Sequence, residues 1–252
     1  MTDPAARPSL RIIGIDCATV AKKVGLALCS VGEGRPRIDK LLVGESWPAI
    51  DEQVAQWASG ATLLALDAPL GWPAPLADAL HAHHAGAALP PTANALFRRA
   101  TDDTIAEQLG KRPLDVGSDR IARTAHAALS LLTRLRERLG EPIPLAWHPG
   151  PVERLAAIEV YPAGTLAARR LPHSGYKAAT EQSTELRRQL TNAVQQELSI
   201  DDEATALMVQ SDHALDAVLC VSAGLDFLSG NVIRPDDMNL AKREGWIWVR
   251  RP

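Results

Sequence analysis

Three short apolar runs constrain the fold of this chain more than any other feature. RIIGID (11–16), TLLALD (62–67) and AAIEVYP (156–162) each read as a buried strand. Each also carries one acid at or near its carboxyl end: Asp16, Asp67 and Glu159. In LLALDAPLGWP (63–73) four apolar residues lead directly into Asp67, and Pro69, Gly71 and Pro73 then stop any regular element. A carboxylate placed where a buried strand ends is costly unless something binds it.

The order of elements around these runs predicts the architecture. VGLALCS (24–30) and IDKLLVGES (38–46) are two further strands, and their short connections predict an antiparallel meander. PAIDEQVAQWA (48–58) places Ile50, Val54 and Trp57 on one helical face. A helix between two strands implies a right-handed crossover and a parallel pairing. After Asp67 come helices over about 74–86, 101–109 and 119–139, separated by prolines, the last amphipathic through Leu129, Leu132, Leu135 and Leu139. EQSTELRRQLTNAVQQEL (181–198) reads as a polar amphipathic helix, SDHALDAVLCVSAGLDFL (211–228) as an apolar one, and GWIWVR (245–250) as a terminal strand. The expectation is one α/β domain: a mixed five-stranded sheet flanked by helices, with a helical insertion at about 73–150 between the fourth and fifth strands. In such sheets ligands sit at the carboxyl ends of the parallel strands.

Composition narrows the function classes. The 252 residues are 46% hydrophobic and 23% charged, as in an ordinary globular chain. No apolar run reaches the roughly 18 residues that cross a membrane, and MTDPAARPSL lacks the core of a signal peptide, so the expected location is cytoplasmic. A net charge of −3 argues against a high-affinity, sequence-reading DNA binder but not against an enzyme that meets nucleic acid briefly. Cys17, Cys29 and Cys220 form no C-x-x-C pair and read as free core thiols.

Taken singly, each acid has an ordinary explanation: a turn for Asp16, a cap for Asp67 or Asp212, a structural salt bridge for Glu159. Asp216 is harder to explain so, because it shares a helical face with Leu219, Cys220, Ala223 and Phe227. Asp212 lies one turn earlier on that face. Carboxylates gathered at strand ends make electrostatic sense if a divalent cation joins them, and oxygen ligands suit Mg²⁺ or Mn²⁺. Two such ions can activate water and stabilise the leaving oxygen in phosphodiester cleavage.

The segments GIDCA (14–18), LDAPLGWP (66–73), RATDDTIAEQLGKRPLDVGSDRIARTA (99–125), IEVYPAGTL (158–166), LPHSGYK (171–177), DHALDAVLCVSAGL (212–225) and EGWIWV (244–249) resemble, in order, the domain-of-unknown-function 429 family of predicted RNase H-like nucleases. The resemblance implies an RNase H-like fold with carboxylates at Asp16, Asp67 and Asp216, joined by Glu159 or Asp212. The final helical pair is also similar to that of Holliday-junction resolvases. The implied activity is metal-dependent hydrolysis of a nucleic-acid phosphodiester, with two ions of Mg²⁺ or Mn²⁺ and a nucleic acid or nucleotide as substrate. Oligomeric state is left open, a homodimer being compatible.

Two other readings compete. One is a nucleotide-binding phosphotransferase or ATPase of the related actin-like class, disfavoured by the chain's length and the lack of a P-loop. The other is a catalytically silent RNase H-like binding module. Around the acids, Arg99, Asp102, Asp119, Arg120 and Lys177 are candidate substrate contacts, Arg being suited to bidentate phosphate binding. The plainer alternative for these residues is a solvated surface with internal ion pairs. His81, His83 and His84 lack the i,i+4 spacing of a helical zinc pair. Trp246 and Trp248 alternate on one face of the last strand, as packing residues do.

Overall fold

The computed structural model describes residues 10–252. Strands β1 (Leu10–Asp16), β2 (Gly25–Val31), β3 (Arg37–Val43), β4 (Thr62–Asp67) and β5 (Ala156–Glu159) form one sheet in the order β3-β2-β1-β4-β5. β1 and β2, and β2 and β3, are antiparallel; β1 and β4, and β4 and β5, are parallel. Helix α1 (Trp47–Trp57) makes the crossover from β3 to β4, as the order of elements requires. The result is an α/β fold of the RNase H-like kind, with its meander on one side and its parallel strands on the other.

Helices α2 (Ala74–Leu80), α3 (Ala93–Phe97), α4 (Ala100–Leu109) and α5 (Asp119–Leu139) fill the stretch between β4 and β5. They are not a detached appendage. Ala128, Leu131, Leu132 and Leu135 of α5 pack with Ile50 and Val54 of α1 against Ile13, Ile15, Leu64 and Leu66 on one face of the sheet. The chain then continues through α6 (Pro162–Ala168), α7 (Glu181–Val194), α8 (Asp202–Gln210), α9 (Asp212–Leu228) and α10 (Met238–Glu244).

The other face is covered by α9, whose Leu215, Val218, Leu219 and Val221 pack in one cluster with Ile12, Leu63, Ala65 and Ile158. Two glycines let this helix come close. A methyl group at Gly14 would collide with the Ala217 carbonyl oxygen, and one at Gly25 with that of His213. Backbone meets backbone at both points.

The structure differs from the sequence reading in several places. β5 ends at Glu159, because Pro162 opens α6 with its fixed φ and missing N–H, instead of closing a strand. β3 stops at Val43, and α2 is shorter than expected, with α3 as a separate turn of helix. Residues 245–250 form no regular strand but isolated bridges, Glu159 with Ile247 and Val232 with Arg250. Trp246 and Trp248 are buried, Trp248 edge-on to Phe227 at 5.0 Å, so they pack the core. His81, His83 and His84 are exposed just beyond α2. Among the described residues no helix is long and apolar enough to cross a membrane.

Candidate metal centre

Side-chain alternation brings the first two acids together. Asp16 follows Ile12 and Gly14 on the face of β1 that meets α9, and Asp67 follows Leu63 and Ala65 on the same face of β4. The parallel register then sets Asp16 directly beside Asp67. α9 supplies Asp216 from above. One carboxylate oxygen from each of the three lies within 4.8 Å of the others. Ser211, not Asp212, caps α9 by accepting from the Ala214 N–H. Asp212 borders the same cleft but stands outside this cluster.

Three side chains partly offset the charge. His213 places Nδ1 2.8 Å from Asp16 Oδ2. Tyr176 donates its hydroxyl proton to Asp216 Oδ1 at 2.9 Å. The Lys177 ammonium lies 2.5 Å from the buried Asp216 Oδ2 as an ion pair. Asp67 engages no hydrogen bond or ion pair among the described residues.

The proton affinities follow. Burial pushes Asp16 up to about 7, with Asp216 adding to the rise and the His213 hydrogen bond opposing it. Asp67 is raised well above the usual carboxylate range, first by burial and then by Asp16 and Asp216, against Lys177. Asp216 is raised by burial and held back by Lys177 and Tyr176. The hydrogen bond to Asp16 raises His213. Burial works against the Lys177 cation, yet Asp216, Asp67 and Asp16 outweigh it and hold the ammonium more firmly protonated.

The loop bearing Tyr176 and Lys177 is itself anchored by α7. Buried Arg187 donates to the Tyr176 carbonyl at 2.6 Å, and Ser183 to the Gly175 carbonyl at 2.7 Å.

Glu159 takes a different course. Its neighbours Ile158 and Val160 point into the α9 side of the sheet, so alternation turns Glu159 away from the three aspartates. It meets the buried Arg99, whose Nη2 lies 2.8 Å from Oε1 and whose Nη1 donates to Oε2 at 3.0 Å. The Leu70 N–H donates to the same Oε2 at 2.9 Å. Arg99 also grips Asp102, through Nη2 at 2.9 Å and Nε at 3.2 Å. Its donors are therefore committed within the protein, and Asp102 is buried beneath it. Asp119 is exposed and paired with Arg123 one turn on. Arg120, by contrast, lines the cleft above the triad.

Three participants have no role that sequence reasoning assigns. His213 sits beside the more conspicuous Asp212, and only its i,i+3 spacing to Asp216 could have pointed to it. Tyr176 stands out only as a member of the LPHSGYK segment, which assigns it no role, and Glu244 gives no signal at all. Glu244 accepts from the Ala74 and Ala100 N–H groups at 2.7 and 2.8 Å and ties α10 to the insertion.

Asp16 and the half-buried Asp67 line the cleft while Asp216 is buried and paired with Lys177 and Tyr176, so the arrangement presents carboxylate oxygens that are incompletely neutralised. With Asp67 unengaged among the described residues and one oxygen from each carboxylate within 4.8 Å of the others, the donor set fits a hard divalent cation such as Mg²⁺ or Mn²⁺, which would compete with Lys177 for Asp216. Comparison with curated proteins returns no match. A family model described as "Protein of unknown function (DUF429)" matches residues 14–239, nearly the whole described chain, and the chain belongs to that family.

Proposed function

We propose that this family member is a metal-dependent phosphodiesterase acting on nucleic acid or nucleotide. The observation that carries the reading is the triad of Asp16, Asp67 and Asp216, which is short of counter-charge and stands at the carboxyl ends of two parallel strands. Asp16, Asp67 and Asp216 would hold Mg²⁺ or Mn²⁺, and Asp212, which borders the same cleft, would be a further ligand for a second ion. When bound, the metal acidifies water and draws charge from the phosphoryl group.

The chain's own groups complete the step. The water oxygen forms a bond to phosphorus as the phosphorus–oxygen bond to the leaving group breaks. The proton released by water passes to the Asp16–His213 pair, and the leaving oxygen takes one from solvent. Lys177, half exposed and tethered beside Asp216, faces the phosphoryl oxygens.

The same lysine supports a second reading. Its ammonium already neutralises part of the triad, which is what a catalytically silent binding module would need. Calorimetric titration with Mn²⁺ and Mg²⁺, followed by incubation with labelled single-stranded, duplex and branched substrates, separates the two. Binding that is lost in Asp67→Asn and Asp216→Asn, together with cleavage, supports the enzyme. Metal binding without cleavage of any substrate supports the silent module. No metal binding by the folded wild type overturns the site.

A further inference from the structure

The cleft above the triad has a composition that the acids do not explain. Its volume is about 690 Å³, within the range of roughly 300–1,000 Å³ that small-molecule sites occupy. The insertion contributes apolar surface to one wall through Pro113, Leu114 and Ile121. Leu114 is 69% exposed, the most exposed large apolar side chain among the described residues. A leucine so exposed along the lining of a cleft offers apolar surface to whatever enters it. Beside it stand Lys111 and Arg120, which also line the cleft and have no acidic partner among the described residues. The neighbouring cations are spoken for, Arg112 by Asp103 and Arg99 by Asp102 and Glu159.

We infer that the cleft takes a nucleotide-sized phosphate ester, with its phosphate toward the triad and Lys177 and its base or other apolar group against Leu114 and Ile121. Lys111 and Arg120 supply further positive charge at the rim. The inference rests on the proposed phosphodiesterase and names its substrate class as the last residues of a strand end, whose cleavage releases a mononucleotide. The interior of a duplex does not fit this description. Its recognition calls for an extended basic face, and bases held in a stack cannot reach an apolar wall inside a cleft.

The test uses the whole chain in Mn²⁺ with three probes: inorganic phosphate, adenosine monophosphate and a short blunt DNA duplex. Adenosine monophosphate is product-like and has no diester to cleave. It is expected to bind about tenfold more tightly than inorganic phosphate through its apolar contact, and more tightly than the duplex. Leu114→Ser should erase that advantage while leaving phosphate and Mn²⁺ affinities unchanged, and Arg120→Ala should weaken both phosphate probes. A duplex that outcompetes adenosine monophosphate, or a Leu114→Ser protein that binds the nucleotide like the wild type, overturns the inference. If the nucleotide binds through Leu114 while Mn²⁺ does not bind, the cleft assignment stands and the metal reading falls. If Mn²⁺ binds and the nucleotide does not, the reverse holds.

Discussion

Two clusters of buried acids lie side by side beneath one cleft, and they are solved in opposite ways. Around Arg99, the carboxylates of Glu159 and Asp102 meet a guanidinium that engages both, and the Leu70 and Arg99 N–H groups donate further to Glu159 Oε2 and Asp102 Oδ2. Around Asp67, three carboxylates share one lysine, one tyrosine hydroxyl and one histidine, and Asp67 itself has no partner among the described residues. Burial raises Glu159 and Asp67 alike, but only for Glu159 does a neighbouring guanidinium oppose it. The first cluster is closed and holds the insertion to the sheet. The second is open, and an open cluster of like charges is where an external cation belongs.

The contrast is sharpest under substitution. Arg99→Met leaves Glu159 and Asp102 buried without a cation and should lower stability by about 3–5 kcal/mol, measured by urea unfolding. A loss below about 1 kcal/mol would mean that the closed cluster is not what ties α4 to β5.

Acidity tests the open cluster next. Asp16 has a folded-state pKa of about 7 against an ordinary 3.8, so the folded chain binds the extra proton between those values. Stability of the metal-free protein should therefore fall as pH rises from about 4 to about 7, by up to about 1.4 kcal/mol per pH unit for this group. It should level off outside that window. Asp16→Asn should remove this contribution, and saturating Mn²⁺ should suppress it. An unchanged slope in the variant would show that Asp16 is not the group responsible.

A smaller effect, and one of opposite sign to that of Arg99→Met, is expected of Asp67→Asn. Near pH 8 it should stabilise the metal-free chain by about 1–2 kcal/mol, because it removes an unpaired carboxylate from beside two others. The same change should abolish any stabilisation by Mn²⁺ in a thermal melt. Destabilisation instead would place Asp67 with Glu159 as a structural acid. Asp119→Ala serves as the floor of the series. Its ion pair with Arg123 is fully exposed, and neither stability nor Mn²⁺ binding should change measurably.

What could be read from the sequence follows the same division. Asp16, Asp67 and Asp216 were legible because their oddity is local, an acid closing an apolar strand or interrupting an apolar helical face. The apolar strands and the span of α5 were legible for the same reason, since periodicity is written in neighbouring residues. Partners were not. Nothing near Arg99 in the sequence shows that Glu159, sixty positions on, occupies its guanidinium, and it therefore reads as a phosphate contact. The isolated bridges at 245–250 depend on β5 and the segment after α9, not on their own alternation. α8 and α10 are short, and little in their sequences marks them as helices before packing is known.

Gly14 and Gly25 have a consequence beyond close packing. Because the sheet and α9 meet backbone to backbone there, their separation is a fixed gauge, and Asp216 spans it with a single methylene. Related chains could lose an acid and keep the same shape, as an inert copy. A chain with a methyl group in place of either glycine could keep every acid and never bring them within reach of one another. For judging whether a relative is competent, these two silent positions are as informative as the aspartates.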